Sequence, residues 1–256
     1  MGRIANLFGW EVNEHFRVMA VVSGIIVVGI VFQHSLLRSI GEVTNSPGDI
    51  FGLRSMSGLT ILLSATSSGF WITASFFIII LVSLVFRSGI EKGYELTLYS
   101  LPYSKLEVFS VKFLEGFTLS TLIVLLPALV LTFLNFSDVP AFLSSLARDE
   151  RFLGLLILMM LGVLYVVSVV TFLSLSLRSM LATILSAFSI VIIPYLINAG
   201  LPPANLFNAN VMTMLGEKYF SPLRLITGKS VAIYGLFVPA VLIGLSAVLA
   251  MRRDVK

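Results

Sequence analysis

Apolar positions along the chain fall into six long runs that carry no formal charge, over residues 18–37, 55–86, 116–137, 152–177, 179–216 and 230–251. A charge at the centre of a bilayer costs about 2.5 to 3.5 kcal/mol, and a helical span needs about 20 mostly apolar residues. The runs therefore read as transmembrane helices. Thr66-Ser67-Ser68-Gly69 moves the start of the second to about 69, and Pro202-Pro203 places the end of the fifth near 198. The predicted spans are 18–37, 69–86, 116–137, 152–177, 179–198 and 230–251, in one all-α membrane domain over 1–256. Ahead of the first, Ile4, Ala5, Phe8, Val12 and Phe16 share one arc at 100° per residue, with Arg3, Asn6, Asn13, Glu14 and Arg17 opposite. That pattern predicts an interfacial amphipathic helix over 3–17, which either anchors the first span or transmits motion to it.

Composition sharpens this picture. The chain has 57% apolar and 12% charged residues, against about 45–50% and about 25% in soluble domains, so a soluble enzyme is excluded as the leading class. Cysteine is absent, which removes disulfides, thiol catalysis and thiolate metal sites. The 17 basic and 13 acidic residues are scattered through short connections, so nothing resembles a nucleic-acid surface. With the amino terminus inside, inner segments carry ten Lys and Arg over 52 residues and outer segments seven over 76. Lysine and arginine favour the cytosolic side, which puts both termini there.

The one long inner connection, 87–115, holds eight charges. Ile90, Tyr94 and Leu98 recur every fourth residue beside Glu91 and Glu95, the pattern of a short amphipathic helix. Leu101-Pro102 ends it, and Ser104 with Glu107 forms a capping box that opens a second helix running through Lys112 into the third span. A helix, a break and a helix fused to a span would make a lever; a solvated connector has the same spacing.

The run from Arg87 to Lys105, with Lys112 beyond it, resembles the inner loop of the type-2 ABC transporter permease family. Glu91, Gly93, Pro102, Ser104, Lys105 and Lys112 carry the likeness, while Tyr94 and Glu95 depart from the usual pattern. The six-span layout, the leading interfacial helix and the tight inner turn at Arg178 agree with that family along the whole chain. The resemblance implies a multi-pass permease of the plasma membrane that pairs with a second permease chain, identical or homologous, and rests on two copies of an ATP-binding cassette subunit. ATP and Mg would be held by that partner, and this chain would need no cofactor. Glu91, Gly93, Tyr94, Glu95, Leu98, Pro102, Ser104, Lys105 and Lys112 would couple it to the ATPase, with Ile4, Phe8, Val12 and Phe16 of the interfacial helix alongside. The cargo would be hydrophobic or amphipathic, a lipid, peptide or drug. The residues that bind it are not distinguished in spans that are apolar all round.

Other chemistry finds little support. Gly228-Lys229-Ser230 imitates the end of a phosphate loop, but Leu223 stands where its first glycine belongs. His15 and His34 have no partner at metal-ligand spacing, and His34 with Gln33 near the end of the first span reads as an interfacial or interhelical hydrogen-bonding pair. Ala65, Gly69 and Thr73, and Ala240 with Gly244, are candidate packing seams, and Pro127, Pro194 and Pro239 are candidate kinks. An ion-coupled carrier or channel acting without an ATPase is the alternative; the spans show no deep acidic residue and no halving into repeats for it.

Overall fold

The computed structural model describes residues 15–44, 64–65, 67–91, 103–135, 150–197, 228–229 and 231–252. Almost all of these are helical and none lies in a strand. The helices are α1 (His15–Thr44), α2 (Ser68–Glu91), α3 (Lys105–Asn135), α4 (Glu150–Ser176), α5 (Met180–Val191) and α6 (Ile193–Leu196). A π-helical segment, Val231–Phe237, leads into α7 (Val238–Arg252). Five helical stretches are long and apolar enough to cross a membrane: Phe16–Ser39, Ser68–Ser88, Lys105–Asn135, Leu153–Ser176 and Val231–Arg252.

The fifth predicted span differs. Its helix α5 is only 12 residues long, because Pro194 lacks the N–H that would bond the Ile190 carbonyl; the regular helix breaks at Ile192 and resumes as the four residues of α6. Ser179 caps α5, its hydroxyl accepting the Ala182 N–H at 3.2 Å, so only residues 177–179 separate α4 from α5. The third span is carried by a helix that begins at Lys105, as the capping box at Ser104 and Glu107 predicts, and that runs unbroken past the candidate kink at Pro127 to Asn135. Pro239 lies just after the π-helical turn. A proline at that position cannot bond the Gly235 carbonyl and crowds it, which a widened turn relieves.

Burial ranks the helices. The apolar windows of α2 and α4 are 61% and 67% buried, whereas those of α1 and of the segment ending in α7 are 28% and 22% buried. Trp71, Phe70, Ile78, Leu155 and Leu158 are fully buried, and Val22, Ile26, Ile30, Leu185, Leu245 and Val248 stay exposed. An exposed apolar belt of this kind is the surface expected of helices that face a membrane or another protein chain.

α1 and α3 run parallel in fixed register. Arg17 meets Glu115, Gly24 faces Ile123, Gly29 faces Pro127, and Gln33 exchanges hydrogen bonds of 3.3 and 2.9 Å with Asn135. The Gln33 partner is thus Asn135 of α3, and His34 is exposed. A Cβ on Gly24 would stand 3.1 Å from Ile123 Cδ1, whereas nothing lies within 4 Å of one on Gly244. The seam proposed at Ala240 and Gly244 is therefore open, and that at Gly69 makes only ordinary contact, 3.8 Å to Val31. Close helix approach occurs instead at Gly24. Gly24→Leu is expected to cost about 1 to 3 kcal/mol by overpacking and Gly244→Ala almost nothing, as read by thermal unfolding in mild detergent.

Candidate functional site

Several charged side chains are buried at one end of the bundle, where α1 and α3 begin and α2, α4 and α7 end. Arg17, in the first turns of α1, donates from Nη1 to both Glu115 oxygens, at 2.8 and 3.0 Å. The two side chains are 4% and 0% exposed. Lys112, one turn earlier on α3, is buried, and Arg87 on α2 is wholly buried. Arg87 reaches the α4–α5 turn, donating from Nη2 to the Leu177 carbonyl. The phenyl rings of Phe86, Phe109 and Phe113 pack beside this layer, with centroids 6.1 and 6.3 Å apart.

The position of Arg17 corrects the sequence reading, which put it on the solvated face of the interfacial helix. α1 lies alongside α3, and at the level where α3 enters the bundle its Glu115 faces α1. Arg17 therefore turns inward to the carboxylate, while Phe16 is 60% exposed. Glu115 likewise is not a solvated loop charge. Taking both ions from water costs several kcal/mol each, recovered only through short, two-pronged geometry of the kind seen here.

The start of α3 is built as its sequence suggests. Glu107 Oε2 accepts the Ser104 N–H at 2.8 Å and the Ser104 hydroxyl at 2.9 Å, and the Ser104 hydroxyl accepts the Glu107 N–H at 3.2 Å. This reciprocal cap satisfies donors that a helix start leaves open. Next to it, Lys105 Nζ donates to the Met251 carbonyl at 3.4 Å, tying the start of α3 to the end of α7. Of the residues singled out for coupling, Ser104 is exposed, Lys105 half-buried and Lys112 buried. Glu91 is the last residue of α2; its side chain, and Gly93, Tyr94, Glu95, Leu98 and Pro102, lie outside the described residues. So do Ile4, Phe8 and Val12. α2 and α3 nevertheless bring both ends of that connection to the buried charged layer.

Sequence reasoning missed the Arg17–Glu115 pair and the burial of Arg87. Each of these charges adjoins an apolar run, a position that the sequence gives equally to charges facing water and to charges facing another helix. Among the described residues no group of three His, Asp or Glu is placed to hold a metal. Lys229 of the phosphate-loop imitation is exposed and no strand precedes it among the described residues.

Glu115→Ala leaves the Arg17 guanidinium buried without its carboxylate and is expected to cost about 3 to 5 kcal/mol. The double variant Arg17→Met/Glu115→Leu should recover most of that loss, since apolar replacement of a whole buried pair is often neutral or better. Thermal unfolding of the two proteins in the same detergent checks both. Comparison with protein-family models, with curated proteins and with solved structures finds no match to this chain.

Proposed function

We propose that this chain is the membrane permease subunit of an ATP-driven exporter of the type-2 ABC kind, acting on a hydrophobic or amphipathic cargo. The observation that carries the reading is α3. It starts on a capped, charged turn outside the apolar run and continues without interruption through the bundle to Asn135. A displacement at Ser104 is then transmitted along a helix that is bonded to α1 through Glu115 and to the end of α7 through Lys105. That is the mechanical property a coupling loop over 87–115 requires. ATP and Mg would sit on a separate subunit docked against residues 91–102, and only binding that differs between two arrangements of the helices drives a switch.

Six crossings with both termini on the cytosolic face of the plasma membrane belong to the same proposal. Contacts of Arg87 with Leu177 and of Lys105 with Met251 put the ends of α4 and α7 at the same end of the bundle. The chain must therefore return across the bundle between them. α5 and α6 span residues 180–196, about 26 Å at 1.5 Å per residue, close to the roughly 30 Å of a hydrocarbon core.

A second reading, an ion-coupled carrier, draws on the buried Arg17–Glu115 pair, because ionisable groups held inside membrane proteins often line ion paths. Purification of the tagged chain from its native membrane separates the two. The exporter reading expects an ATP-binding cassette subunit in equal amount, and its loss when Glu91 and Glu95 are both changed to Lys, with membrane insertion unchanged. A chain that comes out alone, even after crosslinking, favours the carrier.

A further inference from the structure

A hydroxyl inside an apolar helix is commonly satisfied by its own backbone, donating to the carbonyl one turn back. Thr73, Thr121, Ser176, Ser189 and Ser246 do this here, at 2.7 to 2.9 Å. Ser75, Ser83, Ser120, Thr171 and Ser174 do not: all five are wholly buried, and none of their hydroxyls has a hydrogen-bond partner. A buried hydroxyl in that condition carries the whole cost of its lost hydration. Each therefore calls for a partner that the protein itself does not supply.

Two of the five are set opposite one another. α2 ends where α3 begins, so the two helices run antiparallel. Their contact line is marked by Phe86 against Phe109, with ring centroids 6.1 Å apart, and by Val82 against Gly116, where an added Cβ would stand 3.6 Å from the Val82 side chain. Ser75 lies eleven residues before Phe86, and Ser120 eleven residues after Phe109. Eleven residues are about three full turns, or about 16 Å of helix. Both serines thus return to the contact line, and they do so at the same level. The levels nearer the base set phenyl against phenyl and valine against glycine; this one sets serine against serine, with the two hydroxyls bonded neither to each other nor to their own helices.

We propose that one ordered water sits between Ser75 and Ser120 and bridges their hydroxyls. Water can accept from one hydroxyl and donate to the other, and helix carbonyls keep a second lone pair for its remaining hydrogen, which gives the roughly three bonds that buried waters make. A hard cation such as calcium takes about six oxygens or more, and the facing pair offers two. A bridging water also suits two helices that flank the 87–115 connection. When they part it stays with either serine, whereas a direct hydroxyl–hydroxyl bond would leave both groups stranded in the apolar interior. The site is independent of the ATP-driven reading, since burial of the two hydroxyls alone requires it.

The test is water-edited solid-state NMR of the full chain, with isotope-labelled serine, in phosphatidylcholine bilayers. Magnetisation that starts on water should reach the Ser75 and Ser120 side chains at short mixing times. It should not reach Ser168, which is as deeply buried but donates to the Tyr165 carbonyl at 2.8 Å. Ser75→Ala should abolish the transfer into Ser120, whereas Ser176→Ala, on the exposed end of α4, should leave it unchanged. Absence of transfer into either serine of the unmodified chain, or transfer into Ser120 that survives Ser75→Ala, overturns the proposal. So does a higher unfolding temperature for both Ser75→Ala and Ser120→Ala, the mark of hydroxyls that had no partner to lose.

Discussion

Everything at the charged end of this bundle depends on one ion pair taken out of water. Arg17 and Glu115 hold each other at 2.8 Å with almost no exposure, and the interaction fixes α1 against α3 at the level where both enter the apolar region. Because the helices are parallel, that single contact sets the register of the rest: Gly24 must meet Ile123, Gly29 must meet Pro127, and Gln33 must meet Asn135. Apolar faces alone are poor at this task. In hydrocarbon there is no hydrophobic drive to bring one helix against another, and a leucine-rich face slides with little change in energy. Directional polar contacts at two levels, with a glycine between them, make the arrangement unique.

The remaining helix ends are fastened at the same layer. Arg87 ties α2 to the α4–α5 turn, and Lys105 ties α3 to α7. In contrast, the described interior away from that layer carries no charge: the valine-rich middle of α4 is buried among apolar side chains, and Phe70 and Trp71 are buried near the opposite end, where the Trp71 indole donates to the Ala65 carbonyl. The outcome is a bundle with a polar, bonded base and an apolar body. Force applied at the base, where the 87–115 connection joins α2 and α3, meets helices that are bonded to one another there. This division is what gives the proposed coupling role a physical basis.

The architecture was largely legible in the sequence, because gaps between charges report span position directly. The helical class, the cap formed by Ser104 and Glu107, and the short turn around Arg178 all follow from local rules that depend on near neighbours. In the fifth span Pro194, a candidate kink in the sequence, does interrupt the helix, whereas Pro127, an equal candidate, leaves α3 unbroken. The ion pair was illegible. Arg17 and Glu115 are 98 residues apart, each next to an apolar run, and a charge beside a span looks the same whether it faces water or another helix. The interhelical hydrogen bonding expected of Gln33 is made to Asn135, a partner that nothing local identifies.

The central claim, that the buried pair clamps α1 to α3 at the base, is tested most directly by distances measured between spin labels. The chain has no cysteine, so exposed Met19 and Leu114 can be labelled near the base, and exposed Leu37 and Leu134 at the far end, without background. Narrow distributions are expected at both levels in the unmodified chain. Glu115→Gln should broaden the Met19–Leu114 distribution and leave that of Leu37–Leu134 narrow, since Gln33 and Asn135 still hold the far end. An unchanged Met19–Leu114 distribution in Glu115→Gln would contradict the account, because the helices would then be held in register by something other than the ion pair.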